Sequence, residues 1–246
     1  MPIAENIARA QERIARAARR AGREPDAVAL MAVTKTVAPE RILEAYDAGV
    51  RLFGENRVQE FAEKAADLRQ LGLLANDRFH MIGHLQTNKA RKAVELFSGV
   101  DSVDSLRLAE ALNAAAQKHF STVRLQPQGA GRLAALIEIN LAGEAQKSGL
   151  APASPELEAL LQAAPRLEFL DFRGLMCVPP LTDDPEAARP WFRALRELRD
   201  QLAARQLPGV SLDVLSMGMT HDFEVAIEEG STCVRLGTAI FGPRPK

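Results

Sequence analysis

The chain alternates between short apolar runs and longer stretches whose apolar residues recur on one helical face. The short runs predict eight strands, at residues 29–33, 51–53, 79–82, 100–103, 134–139, 172–176, 211–215 and 233–236. The stretches between them predict helices at 39–48, 57–74, 86–97, 105–119, 155–164, 185–205 and 221–229. Before the first strand, residues 3–23 form a further amphipathic stretch, which predicts a packed surface helix.

Eight strands that each lead into a helix predict an α/β fold, a single (β/α)8 TIM barrel with an extra N-terminal helix, formed by residues 1–246 as one domain. A doubly wound open sheet is the alternative. Small or polar residues follow several strands, at 34–35, 54–56, 83–84, 140, 216–218 and 237–238. A barrel gathers these strand ends at one rim, where active sites occur, and an open sheet would separate them. The pattern therefore favours the barrel.

Local signals mark several element boundaries. Residues typical of helix starts precede or open four of the predicted helices: Pro39, Ser105, Ser154 and Asp184. Gly49 and Gly230 follow two helices, where C-terminal caps are expected. Residues 121–132 (STVRLQPQGAGR) lack periodicity and predict an exposed loop before the fifth strand.

Composition narrows the classes of partner and compartment. The formal charge is −1, which argues against a broad nucleic-acid surface. No apolar run approaches the ~20 residues that cross a bilayer, so we expect no membrane partner. Cys177 and Cys233 lie in apolar runs, which predicts buried reduced thiols and a cytoplasmic protein. No long apolar surface stripe indicates a partner chain, so we expect a monomer.

Residues near the C-terminus predict a phosphate site. Ser216 can donate a hydroxyl, and Gly237 and Thr238 can donate backbone N–H groups, on the loops after strands seven and eight that commonly bind phosphate in barrels. Arg235 lies two residues before Gly237, so on a strand both face the same cavity. A buried arginine needs a partner, which a phosphate, a carboxylate or a cofactor heteroatom would provide.

Lys35 is the candidate nucleophile. It follows the first apolar strand, so its amine would leave a dry environment at the rim, where partial desolvation frees the lone pair that forms a Schiff base. Asn56, in the first turn after the second strand, is a candidate ligand residue. His80 and His84 share a strand face, but nothing near them in the sequence completes a metal site, so we expect no metal.

Several of these segments resemble the pyridoxal phosphate (PLP) homeostasis family, also called YggS-like or proline-synthase-cotranscribed proteins. The matching segments run from residue 32 to residue 242: 32–36 (AVTKT), 53–56 (FGEN) with 59–60, 80–89 (HMIGHLQTNK), 140–149, 174–176 (GLM), 215–219 (LSMGM) with Asp222, and 234–242 (VRLGTAIFG). The resemblance implies a barrel like the N-terminal domain of alanine racemase and PLP as the cofactor.

The resemblance also implies roles for individual residues. Lys35 matches the lysine that forms the internal aldimine, and Arg235 matches the arginine that faces the pyridine nitrogen. Matches to phosphate-binding residues are Ser216, Gly237 and Thr238, and matches to residues that line the cofactor are Asn56 and Met176. No residue is assigned a catalytic role.

These implications predict a PLP-binding protein that buffers or delivers the cofactor, with transient contact to apo PLP enzymes, and that does not catalyse efficiently. Related racemases take a tyrosine base from a further domain, and the only tyrosine here, Tyr46, lies in a predicted outer helix. One alternative is a PLP-dependent amino-acid racemase of fold type III that uses Cys177, His80 or His84 as an acid or base. Another is a metal-free aldolase that uses Lys35 on a phosphosugar.

Overall fold

The computed structural model describes residues 2–73, 78–122, 131–144 and 146–243. Eight parallel strands close into a barrel in chain order: β1 (Ala29–Val33), β2 (Leu52–Glu55), β3 (Arg78–Met81), β4 (Gly99–Val103), β5 (Leu133–Glu138), β6 (Leu170–Met176), β7 (Val210–Met219) and β8 (Cys233–Leu236). β1 pairs with both β2 and β8, which closes the sheet. The predicted (β/α)8 barrel is thus confirmed and the open sheet is wrong.

Helices surround the barrel: α1 (Ile3–Arg20), α2 (Pro39–Asp47), α3 (Val58–Gln70), α4 (Ala90–Leu96), α5 (Leu106–Thr122), α6 (Pro155–Ala163), α7 (Arg189–Ala204), α8 (Phe223–Glu228) and α9 (Thr238–Phe241). The extra N-terminal helix α1 buries one apolar face and packs against α8 and α9. Among the described helices, none has both the length and the apolar character that a membrane span requires.

Strand residues alternate between the barrel interior and the layer between sheet and helices. In the outer layer, Phe53 and Phe79 stack at 4.9 Å between ring centroids, and Phe61 of α3 lies 4.9 Å from Phe79. The opposite set of residues points inward, and it includes Met31, Glu138 and Arg235. Arg235 and Glu138 are both buried, so the barrel holds ionisable side chains away from solvent.

The predicted helix boundaries are confirmed where capping residues marked them. The hydroxyls of Ser105 and Ser154 accept hydrogen bonds from the N–H groups three residues later, both at 3.2 Å. The Asp184 carboxylate accepts from the N–H of Glu186 at 3.0 Å, but it caps a short 3-10 helix, Pro185–Ala188, and α7 begins only after it. Gly49 and Gly230 follow α2 and α8 with φ of 97° and 104°, a conformation that glycine adopts without a Cβ clash.

Other boundaries differ from the predictions. β7 continues to Met219, although small residues at 216–218 suggested a turn, because a register shift against β8 accommodates them within the strand. α5 continues through Thr122, so the loop predicted at 121–132 is wrong for its first two residues, and its residues 123–130 lie outside the described part. The sequence did not predict α9, which spans only four residues.

Gly174 offers a test of the barrel packing. A Cβ at this position would lie 1.8 Å from the Val214 carbonyl oxygen of the neighbouring strand. We predict that Gly174→Ala lowers the free energy of unfolding by about 3 kcal/mol, because strand backbone cannot move aside cheaply. Urea denaturation would measure the change.

The matched control is Gly22→Ala. Gly22 has φ of 67° but open space where a Cβ would stand, so only backbone strain opposes the change, at about 1 kcal/mol. Equal losses in the two variants would contradict the role of Gly174 in strand packing.

Candidate cofactor site at the carboxyl rim of the barrel

Pairing between β1 and β8 places the first and last strands side by side. Met31 pairs with Arg235 and Ala32 with Leu236. Lys35 lies just beyond β1, and its half-buried side chain lines a pocket of about 50 Å³ together with Gly237 and Thr238 at the start of α9. The structure thus brings the predicted nucleophile and two predicted phosphate-binding residues to one pocket.

Arg235 lies in the interior with only 4% of its surface exposed. One guanidinium nitrogen, Nη1, donates to the carbonyl oxygen of Ser216 at 2.7 Å and to its hydroxyl at 2.6 Å. The other, Nη2, donates to the carbonyl oxygen of Cys177 at 2.8 Å. A guanidinium has five N–H donors, so these three bonds fix its orientation and leave two donors for a ligand.

The remaining predicted residues lie on neighbouring strand ends. Met176 pairs with Ser216 across β6 and β7, and both are buried. Asn56 follows β2 directly, and β2 pairs with β1 through Val33 and Gly54. All seven predicted residues therefore lie at the carboxyl ends of β1, β2, β6, β7 and β8. Ser216 lies deeper than expected for a phosphate ligand, because its hydroxyl contacts Arg235 and not the Lys35 pocket.

Sequence reasoning missed Thr220 at the same rim. Its hydroxyl oxygen accepts a hydrogen bond from the N–H of Ala239 in the first turn of α9, at 3.4 Å. The turn that contains Thr220 is closed by the N–H of Met219, which donates to the Asp222 carboxylate at 2.6 Å. Thr220 thus places a hydroxyl beside Gly237 and Thr238. A threonine directly after a glycine-containing strand end was the available signal.

Glu138 is a second missed residue. This buried carboxyl ends β5, and it accepts a hydrogen bond from the Ser148 hydroxyl at 3.0 Å. Its other oxygen, Oε2, is buried without a hydrogen-bond partner among the described residues. Burial raises the pKa of Glu138; the Ser148 bond opposes this, and the nearby Asp104 charge adds to it. The sequence signal for Glu138 was a single acidic residue within an otherwise apolar strand-like run.

Two histidines each pair with a separate carboxylate. His80 Nδ1 lies 2.8 Å from Asp101 inside the barrel, and His84 Nδ1 lies 2.9 Å from Asp104 at the rim. Within the described ranges, no group of three or more histidine, cysteine, aspartate or glutamate side chains could hold a metal ion. The two histidines therefore lie in different places, His80 partly buried in the barrel and His84 exposed at its rim.

The two cysteines are free and buried. Burial raises the pKa of both thiols, Cys177 and Cys233, to about 12. A thiol with such a pKa stays protonated near neutral pH and is a poor general base. The racemase alternative therefore gains no support from Cys177.

The chain matches known proteins over its whole length. Residues 6–245 match the model of the family described as "Alanine racemase, N-terminal domain". A protein of Aquifex aeolicus named pyridoxal phosphate homeostasis protein is 42% identical over 244 residues, which cover 99% of each chain. The chain belongs to the pyridoxal phosphate homeostasis family.

Solved structures resemble this chain over nearly its whole length. PipY of Synechococcus elongatus, whose structure was solved with PLP bound, is 36% identical and has a TM-score of 0.80, covering 98% of this chain and 100% of PipY. An alanine racemase of Clostridium difficile has a TM-score of 0.71 at 16% identity. The alignment covers 100% of this chain and 57% of the racemase, so the likeness to that enzyme concerns the barrel fold alone.

The raised pKa of Glu138 predicts how stability depends on pH. A carboxyl that keeps its proton longer in the folded state stabilises the fold below its unfolded pKa, near 4.5, and loses that contribution as pH rises through the folded value. We predict that Glu138→Gln becomes progressively more stable relative to the wild type between pH 4 and pH 8. Urea denaturation at several pH values measures the difference.

Glu158→Gln is the control with the opposite sign. The Arg205 hydrogen bond lowers the pKa of this exposed carboxyl, so its contribution is present above the unfolded pKa and is lost on acidification. The Glu158 variant should thus lose relative stability as pH rises. Parallel pH profiles for the two variants would contradict the raised pKa of Glu138.

Proposed function

We propose that the chain binds PLP through a covalent bond to Lys35 and holds it for delivery to other proteins, without efficient catalysis. The observation that carries the proposal is the shared pocket of Lys35, Gly237 and Thr238 at the closing seam of the barrel. Membership of the PLP homeostasis family and the PLP-bound structure of PipY support the same cofactor.

The donor set fits the three parts of PLP. A primary amine at Lys35 suits the aldehyde, and their condensation forms a carbon–nitrogen double bond and releases one water molecule. The start of α9 offers N–H groups at Gly237 and Thr238 for the phosphate. Arg235 retains donors for a ring atom.

Two further predicted residues have supporting roles in this proposal. Asn56 and Met176 lie at strand ends beside Lys35 and Ser216, respectively, where they would line the cofactor. Ser216 would act through Arg235, because its hydroxyl and carbonyl oxygens fix the guanidinium.

Arg235 also supports a carrier over an enzyme. When bound, PLP supplies an electron-withdrawing ring that can stabilise carbanions, most strongly with a protonated ring nitrogen. A guanidinium stays protonated and donates, so Arg235 facing that nitrogen would leave it unprotonated. The three bonds to Ser216 and Cys177 fix the orientation of the Arg235 guanidinium, which supports this role. The site would therefore retain PLP while weakly promoting bond cleavage at substrate carbons.

Delivery would take place at the open rim. Among the described residues, the exposed large apolar side chains are Leu71, Val178 and Leu181, and the last two follow β6 at the carboxyl end of the barrel. We infer that this edge makes transient contacts with apo PLP enzymes while the chain itself remains monomeric. The two free buried thiols support a cytoplasmic setting.

Substitution of Lys35 tests the covalent bond. We predict that purified wild-type protein is yellow, and that Lys35→Ala is colourless and binds PLP at least tenfold more weakly, about 1.4 kcal/mol. The control is Lys89→Ala, which should keep both colour and affinity. A yellow Lys35 variant would refute the assignment.

The aldolase alternative predicts a different result. The wild-type protein would then be colourless, and borohydride would form a covalent adduct only after a phosphosugar is added.

Proton exchange tests the absence of efficient catalysis. We predict that PLP-loaded protein incubated with L-alanine or D-alanine in deuterated water leaves the α-proton in place over hours, because the ring is a weak electron sink. NMR measures the exchange, with an alanine racemase as the positive control. Rapid loss of the α-proton signal would favour the racemase alternative and direct attention to His84, which Asp104 orients at the rim.

A further inference from the structure

Lys64 is a buried cation on the apolar face of α3. Only 9% of its surface is exposed, and Phe61, Ala65 and Leu68 on the same face are buried. A buried ammonium is costly unless carboxylates or carbonyls surround it. The partners of Lys64 therefore indicate why a lysine occupies a position that the helical pattern assigns to an apolar residue.

Those partners flank Lys35 on both sides. The Lys64 ammonium donates to the Thr34 carbonyl oxygen at 2.9 Å, to the Val37 carbonyl oxygen at 3.5 Å and to the Glu55 carboxylate at 2.9 Å. Thr34 directly precedes Lys35, and Val37 closes the turn that follows it. One cation thus joins α3 and the end of β2 to the backbone on either side of Lys35.

The two threonines beside Lys35 are held by the same network. The Thr34 hydroxyl donates to Glu55 at 2.6 Å. Thr36 has φ of 61°, and its N–H donates to Glu60 at 2.5 Å, while Glu60 lies 3.5 Å from the Lys64 ammonium. A non-glycine residue keeps such a conformation only where its surroundings fix it. Side chains of α3 and β2 therefore hold the turn that carries Lys35 in one conformation.

We propose that Lys64 is a positioning residue for Lys35: its ammonium holds the 34–37 turn so that the Lys35 amine points into the pocket shared with Gly237 and Thr238. The proposal rests on the proposed function, since it concerns the bond between Lys35 and PLP. Lys64 itself does not line the pocket; it contacts the pocket wall only through the Val37 carbonyl oxygen. Its loss should slow formation of the covalent bond and leave non-covalent binding intact.

The variants must distinguish a loss of Lys35 positioning from the effect of leaving an unpaired charge buried. Lys64→Met alone leaves the Glu55 carboxylate buried beside an apolar side chain, and burial already raises the pKa of Glu55 against the opposing charge of Lys64. The double variant Glu55→Gln/Lys64→Met removes both charges and keeps an acceptor for the Thr34 hydroxyl. It also removes the bonds to the Thr34 and Val37 carbonyl oxygens.

Arg23→Met is the matched control. Arg23 also donates to two backbone carbonyl oxygens, those of Ile227 and Ser231, at 3.0 and 2.7 Å. These contacts lie beside the start of β8, at the end of the barrel opposite to Lys35. The control therefore removes a comparable cation from the same barrel and leaves the 34–37 turn unchanged.

Two ligands then give independent readouts. Stopped-flow absorbance measures how fast PLP forms its bond to the protein, and fluorescence titration measures the affinity for pyridoxine 5′-phosphate, an alcohol that has no aldehyde. In the double variant we expect bond formation at least tenfold slower than in the wild type, with the affinity for pyridoxine 5′-phosphate within twofold. Arg23→Met should match the wild type in both.

Three results would overturn the proposal while leaving the proposed function intact: wild-type rates in the double variant, equal losses of rate and of pyridoxine 5′-phosphate affinity, or the same slow rate in Arg23→Met. A wild-type protein that forms no bond with PLP at all would refute the proposed function itself. The two failures are therefore distinguishable.

Discussion

Backbone hydrogen bonds between β1 and β8 join the first and last strands and close the barrel. Without this pairing, Lys35 and the segment from Arg235 to Thr238 would lie at opposite edges of an open sheet. With it, the amine, the guanidinium and the start of α9 lie within one rim. The site is therefore a consequence of closure, and every proposed contact with the cofactor depends on it.

Closure also encloses several ionisable side chains within the barrel. Arg235, Glu138 and Asp101 are buried, and Asp101 pairs with the partly exposed His80. Arg235 donates three hydrogen bonds to neutral oxygens of Ser216 and Cys177 and retains further donors, and Glu138 keeps an oxygen without a partner among the described residues. Such an interior favours a polar ligand at the rim, because a ligand can form the hydrogen bonds that these buried groups still lack.

The sequence predicted the barrel and the rim because both follow from local patterns. Apolar runs alternating with helical stretches specify the fold, and a period of two along β8 places Arg235 inward. The partners of Arg235 were not predictable, because Ser216 and Cys177 come from other strands whose register depends on closure and on the shifts within β6 and β7. Lys64 left a signal, a lysine on an apolar helical face, but its role emerges only when α3 packs beneath the 34–37 turn.

The central claim is that one amine, that of Lys35, carries the cofactor. Borohydride reduction of the PLP-loaded protein makes the bond permanent, and proteolysis with mass spectrometry then identifies the modified peptide. The account predicts one cofactor adduct per chain, on the peptide that contains Lys35. An adduct on a different lysine such as Lys89 or Lys147, or no adduct at saturating PLP, would contradict it.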